Sequence, residues 1–297
     1  LLDAIGVDFA SRYITQFGFS QESLPPNLSM ALGTSSLTPM SIARGYTVIA
    51  NGGYLVEPWF IDRVVDRNGQ VISRHVPARA CRDCAGAGAP EGQETPTVVD
   101  GFDFGPAQAS ATPATGPAGE PAAPVPDAAA GEWTPAPRAI DARTAFLVHS
   151  VLKDVVRRGT GAAARVIGRD DLGGKTGSTN DYRDAWFSGF GGDLVTTVWV
   201  GKDDFSSLGR GEYGGKAALP IWIGYMDAAL RDVPVLEPVV PPGVLTVWVD
   251  ATSGRLVPEG SPGGVRDYVK REDYERMSTA GFDDEPVLSN EEAFDIF

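Results

Sequence analysis

Gly173-Gly174-Lys175-Thr176-Gly177-Ser178-Thr179-Asn180 is the run on which the reading of this chain turns. Its glycines and its Lys-Thr pair invite two incompatible structures. A phosphate-binding loop needs Gly, four residues, then Gly-Lys-Ser/Thr, so that backbone N–H groups and the lysine cradle a phosphate. Counted back from Gly174, the first glycine should stand at 169, where Arg169 is found; Gly168 is one place off. The phosphate loop also opens a helix, whereas Asp184-Ala185-Trp186-Phe187 comes next with the aromatic content of a strand. Asp203-Asp204, placed after Val198-Trp199-Val200 like a magnesium-binding aspartate, comes only about 28 residues after Lys175. Nucleotide binding is the remote reading and a strand the near one.

On a strand the side chains alternate, so Thr176 and Ser178 share one side and both hydroxyls can face a cleft. Gly177 between them lets a neighbouring element approach closely. Lys175 supplies a cation on the same strand. Working outward, residues 172–178, 185–190 and 194–200 read as three strands, the last two joined by Gly191-Gly192-Asp193, with the spacing of an antiparallel meander. Asp141 is a plausible N-cap for a helix that runs through Phe146 and Leu152 to Arg157-Arg158 before Gly159. A further helix is expected over 217–230 with Pro220 in its first turn, then a strand over 244–249.

Upstream, Leu2, Ile5, Phe9, Tyr13 and Phe17 recur at helical spacing, with Gly18 as a stop. Thr38 and Pro39 sign the start of a second helix, which Asn51-Gly52-Gly53 ends. Apolar runs over 54–65 and 71–72 flank Asp66-Arg67-Asn68-Gly69-Gln70, a hairpin signal. From 85 to 137 the composition falls to Ala, Gly, Pro, Glu and Thr, which cannot bury enough apolar surface to offset its ordering entropy. It reads as a flexible insertion, with Phe102, Phe104 and Trp133 as candidate anchors for its ends. The acidic stretch from Glu272 onward reads as a solvated tail.

Over its 297 residues the chain carries 25 Lys+Arg against 39 Asp+Glu, a formal −14, which argues against a nucleic-acid partner. No run of about 18 apolar residues could cross a bilayer. The chain opens on Leu1 with a helical pattern already under way, as a piece of a longer protein would.

Lys-Thr-Gly is also the last of three motifs of penicillin-recognising serine acyltransferases. Alone it is weak; its surroundings are not. Gly173 to Asn180, then Asp-Ala-Trp-Phe-Ser-Gly-Phe from Asp184, then Val-Trp-Val-Gly-Lys-Asp-Asp from Val198, closely resemble the transpeptidase domain of class A bifunctional penicillin-binding proteins, nearest the 1A type of Gram-negative bacteria. Leu32-Gly33, Thr38-Pro39, Ala43-Arg44-Gly45-Tyr46, Ala50-Asn51-Gly52-Gly53-Tyr54 and Pro241-Pro242-Gly243-Val244 resemble the same family in the same order. The resemblance implies an α+β fold of the penicillin-binding and serine β-lactamase type, an antiparallel sheet flanked by helices, present as a partial domain. Its first segment would be 1–84, the insertion 85–137, the second segment 138–250, and a C-terminal extension 251–297.

The activity implied is serine acyl transfer on D-Ala-D-Ala stem peptides of peptidoglycan, with β-lactams as mimics and no cofactor or metal. Lys175, Thr176, Gly177 and Ser178 would be the catalytic-strand residues, with Lys175, Thr176, Ser178 and Thr179 contacting substrate. A cation about 4 Å from a substrate carboxylate at an effective dielectric near 20 gains roughly 4 kcal/mol before desolvation. By the same resemblance the Ser178 backbone N–H is one of two oxyanion-hole donors, a position worth on the order of 3 kcal/mol. The intact protein would also hold a glycosyltransferase, sit in the inner membrane facing the periplasm, and form a possible homo-oligomer.

Such chemistry needs a Ser-x-x-Lys nucleophile and a Ser-x-Asn before Lys-Thr-Gly. Ser150-Val-Leu-Lys153 fits the first pattern but lies about 25 residues before Lys175 with no Ser-x-Asn between, so it is rejected. Ser178-Thr179-Asn180 fits the second only formally, being part of the strand itself. The nucleophile is expected upstream of Leu1 and the chain alone to be inactive; the alternative is a non-catalytic peptidoglycan-binding module on the same fold. Cys81-Arg-Asp-Cys84 with His75 offers three candidate zinc ligands, fewer than a structural site uses, so a disulfide or free thiols is the stronger reading. His75 and His149 read as structural, and Trp186 and Trp199 as core in preference to a sugar-stacking platform.

Overall fold

A computed structural model of the chain describes residues 2–81, 98–99, 102–103 and 133–279. Most of the Pro-rich insertion, Cys84, Phe104, the side chain of Phe102 and the tail beyond 279 lie outside the described residues. The fold is α+β and falls into two compact units, Leu1–Pro238 and Val239–Phe297.

The first unit is organised around a three-stranded sheet. Gly173–Ser178, Asp184–Gly191 and Leu194–Gly201 lie side by side in that order, antiparallel throughout, as the meander spacing predicts. Gly173–Ser178 is thereby an edge strand, with Lys175 opposite Ser188, Thr176 opposite Phe187 and Gly177 opposite Trp186. Beyond Lys175 the chain completes this strand, turns and enters the next one, and does not open the helix of a phosphate loop.

Helices cover this sheet. Leu219–Ala229 has its proline in the first turn, and Trp222 and Met226 are buried from it. Trp222 meets Phe187 edge-on at 4.9 Å, and its indole N–H donates to the Thr196 carbonyl at 3.1 Å. Leu172, Leu219, Leu230 and Val156 close the same cluster. Each large side chain so buried contributes about 1.5–3 kcal/mol. Ala142–Arg158 starts on Asp141, whose carboxylate accepts from the Arg143 and Thr144 N–H groups. Pro39–Ala50 starts on Thr38, whose hydroxyl accepts from Ser41 N.

Several expectations need correction. The first helix is two helices, Leu2–Ile5 and Val7–Thr15, because Gly6 sits at φ 84, ψ 135 and breaks the ladder. The hairpin is short, Arg63–Val65 against Val71–Arg74; residues 54–62 are not strand, and Pro58 among them removes a ladder donor. Trp186 and Trp199 do not share the core. They pair at 6.1 Å, with Trp199 40% exposed, because the two-residue period sends Ala185 and Phe187 inward and Trp186 to the other side.

Thr134–Pro135 pairs in parallel with Ala78–Arg79, which precede the insertion, and Tyr54 bridges Arg138. The last residues drawn into the insertion by composition are therefore part of the folded unit, and Trp133 beside them is exposed. Val98–Val99 also pairs with Phe102–Asp103. In the second unit, Val244–Asp250 pairs antiparallel with Gly264–Lys270, a strand that composition did not signal. Arg271–Thr279 comes next as a helix, so the acidic stretch does not begin as an unstructured tail; Glu272 and Asp273 lie in the helix's first turn, where negative charge suits the dipole.

Candidate active site

The exposed edge of Gly173–Ser178 collects the polar groups. Lys175 stands on one side of the pleat and Thr176 and Ser178 on the other, yet the lysine folds over the free edge. Its Nζ donates to the Thr176 carbonyl at 3.0 Å and to Thr176 Oγ1 at 3.4 Å. The cation and the threonine hydroxyl thus meet although they leave the backbone in opposite directions.

Thr176 Oγ1 also lies 2.9 Å from Thr160 Oγ1. Thr160 sits in the turn that ends Ala142–Arg158, where Gly159 N and Gly161 N both donate to the Val155 carbonyl, at 3.1 and 3.0 Å. Ser178 Oγ accepts from Gly214 N at 2.9 Å, at the start of the short helix Gly214–Ala217. That helix reaches the strand because residue 214 is glycine: a Cβ there would stand 2.3 Å from the Trp186 carbonyl oxygen and 2.4 Å from that of Gly177. Gly177 in turn packs closely on the next strand, a Cβ there meeting Trp186 Cβ at 3.1 Å.

Thr179 has a different task. Its Oγ1 accepts from Arg183 N at 3.2 Å and Asp184 N at 2.7 Å, closing the turn between two strands. Asp181 and Tyr182 in that turn have φ of 61° and 54°, a conformation costly outside glycine. A second loop fastens them, Ser207 Oγ donating to the Asp181 carbonyl at 2.6 Å and Leu208 N to that of Tyr182 at 2.7 Å. The Arg183 guanidinium lies over the Phe205 ring at 5.0 Å.

At the other end of the strand, Asp171 is 1% exposed and bonded to Arg169 twice, at 3.0 and 2.7 Å. Its Oδ2 also accepts from Gly192 N and Leu236 N. Burial pushes its pKa up, but Arg169 and the two backbone donors outweigh this and hold the carboxyl below its ordinary value.

Sequence reasoning brought Lys175, Thr176 and Ser178 to one strand and missed Thr160 and Gly214, whose link to it is tertiary. The flanking glycines, Gly159-Thr160-Gly161, were the available sign of a close approach. The rejected pair Ser150 and Lys153 lies within Ala142–Arg158, where Lys153 is buried and its Nζ donates to both Glu237 oxygens at 2.8 and 2.6 Å. His149 is buried and stacks on Phe190 at 4.4 Å, and His75 rests on Trp59 at 4.8 Å. Cys81 is disulfide-bonded. Among the described residues no three His, Cys, Asp or Glu side chains converge as a metal site.

Known proteins share both the sequence and the fold. A family profile described as the penicillin binding protein transpeptidase domain matches residues 3–112. Penicillin-binding protein 1A of Pseudomonas aeruginosa is 43% identical over 275 residues, 92% of this chain and 32% of that protein. Penicillin-binding protein 1A of Escherichia coli is 38% identical over 282 residues, 87% of this chain and 33% of that protein. The crystal structure of penicillin-binding protein 1A from Haemophilus influenzae superposes with a TM-score of 0.74 at 32% identity, covering 97% of this chain and 38% of that one. The chain spans about a third of the length of these curated relatives. Sequence and fold agree that it belongs to the class A penicillin-binding proteins of the 1A type, where it corresponds to the C-terminal part of the transpeptidase domain.

Proposed function

We propose that this chain supplies the carboxylate-anchoring strand of a D-Ala-D-Ala transpeptidase that cross-links peptidoglycan. The observation that carries the reading is the Lys175 ammonium lying against Thr176 Oγ1 on an exposed strand edge, with Ser178 on the same edge. A stem peptide ending in a free carboxylate needs a cation and hydroxyl donors there, and an extended backbone can lie along the edge. Thr179 belongs to the proposed substrate edge through the turn that its oxygen closes.

In the reaction a serine oxygen attacks the amide carbonyl between the two D-Ala residues. The C–N bond breaks, a serine ester forms, and the released D-Ala amine takes up a proton. An amine of a neighbouring stem then attacks the ester, forms the new amide and returns the proton to the serine. With water as acceptor the same intermediate gives carboxypeptidase activity. A β-lactam opens its ring amide on the same serine and keeps the leaving amine attached. The backbone N–H of Ser178 is one proposed donor to the tetrahedral oxyanion.

The nucleophile is proposed to lie in a longer protein that includes this chain, together with a glycosyltransferase and an anchor placing the domain on the periplasmic side of the inner membrane. No described helix is long and apolar enough to cross a membrane.

The test is acylation of that longer protein by a labelled penicillin. Lys175→Ala removes a charge-assisted contact and should slow second-order acylation about 10- to 100-fold while the fold is kept. An unchanged rate would remove Lys175 as the anchor.

A further inference from the structure

The contact between Thr160 and Thr176 poses a question of direction. Lys175 Nζ has donors alone, so its approach to Thr176 Oγ1 at 3.4 Å fills an acceptor position on that oxygen. Thr176 keeps one proton, and Thr160 Oγ1 at 2.9 Å can either take it or give its own. Ser178 is the simpler neighbour. The Gly214 N–H can only donate to it, so the serine proton stays available for a ligand. Thr176 reaches the same state only when Thr160 is the donor.

The turn that carries Thr160 is built to hold it in place. Both flanking N–H groups are fastened to the Val155 carbonyl. A Cβ on Gly159 would stand 3.0 Å from Val155 Cα, and one on Gly161 3.3 Å from Val155 O, so the backbone lies tight on the helix end. A β-branched side chain on so fixed a backbone has few rotamers.

We propose that Thr160 is a positioning residue for the carboxylate-binding edge. Its hydroxyl holds Thr176 Oγ1 beside Lys175 Nζ and accepts the Thr176 proton while the site is empty. It becomes the donor when an anion arrives, which turns the Thr176 proton outward. Thr160 itself does not touch the ligand. The role rests on the transpeptidase reading, and the experiment separates the two.

The longer protein is acylated with a penicillin bearing its free carboxylate and with the methyl ester of the same penicillin. The ratio of the two rate constants is taken within each variant, so a smaller folded fraction cancels. Wild type should prefer the free acid. Thr160→Val should lower that preference about three- to tenfold, the range for one hydrogen bond, and leave the ester rate unchanged. Thr160→Ser should restore it. A wild-type preference that Thr160→Val leaves intact overturns the role alone, as does a serine variant no better than valine, which would make the methyl group responsible. A wild-type protein indifferent to the carboxylate overturns both this role and the Lys175 anchor.

Discussion

Gly214 is the residue that most tightly couples packing to the candidate site. It has no room for a side chain, because two carbonyl oxygens stand where a Cβ would go, and its N–H satisfies Ser178 Oγ. Gly214→Ala should therefore cost about 2 kcal/mol, as an overpacked site in a close-packed region does. The check is a lower urea midpoint at unchanged slope. Gly215→Ala is the control: its Cβ would meet the edge of the Tyr213 ring at 3.1 Å, which can turn aside, and the Thr160 carbonyl oxygen at an ordinary 3.6 Å, so its midpoint should barely move. At this scale the sequence made Lys175 and Thr176 legible because a strand places neighbours by a fixed period. It left Thr160 and Gly214 illegible because their contacts span 16 and 36 residues and depend on how a helix end and a loop pack.

Among elements, those fixed by local chemistry were legible in advance. Asp141 and Thr38 cap their helices through N–H groups two or three residues away, so spacing alone found them. The segment that leaves the sheet unit was not legible, because its anchor is a buried carboxylate met from several directions. Arg169 holds the Leu230, Val233 and Pro234 carbonyls, while Asp171 holds Leu236 N and Gly192 N. Asp171→Asn would replace one acceptor with a donor in that cluster and leave Arg169 without its ion partner. The expected loss is about 3 kcal/mol, at the low end for breaking a buried pair. The sign with pH is set by the carboxyl being held below its ordinary value. Its contribution is full above roughly pH 4 and is lost as pH falls through the folded-state value. Urea midpoints measured from pH 6 down to pH 2.5 should fall at the acid end for wild type, and fall less for Asp171→Asn. Equal acid slopes would show that other carboxylates govern the loss.

At the scale of the molecule, a net charge of −14 argues against a nucleic-acid partner but could not locate the one lysine on which the proposed function depends. What places Lys175 is the meander, which leaves its strand at the edge of the sheet. The same whole-chain view sets the last expectation, that this chain by itself forms no covalent adduct with a penicillin. Its single Ser-x-x-Lys is Ser150 to Lys153, and a lysine that activates serine must offer an amine able to take the hydroxyl proton. Lys153 instead commits its donors to both oxygens of Glu237 from a site 5% exposed, tying a helix to the segment after Pro234. Intact-mass spectra of the chain after incubation with penicillin should show the unmodified mass, while the longer protein gains the mass of the drug. A drug-sized increase on the chain alone would mean that it carries its own nucleophile. If Ser150→Ala then abolished that increase, the Glu237 pairing of Lys153 would have to open in solution, and the acylated serine would lie on the helix rather than in a preceding segment.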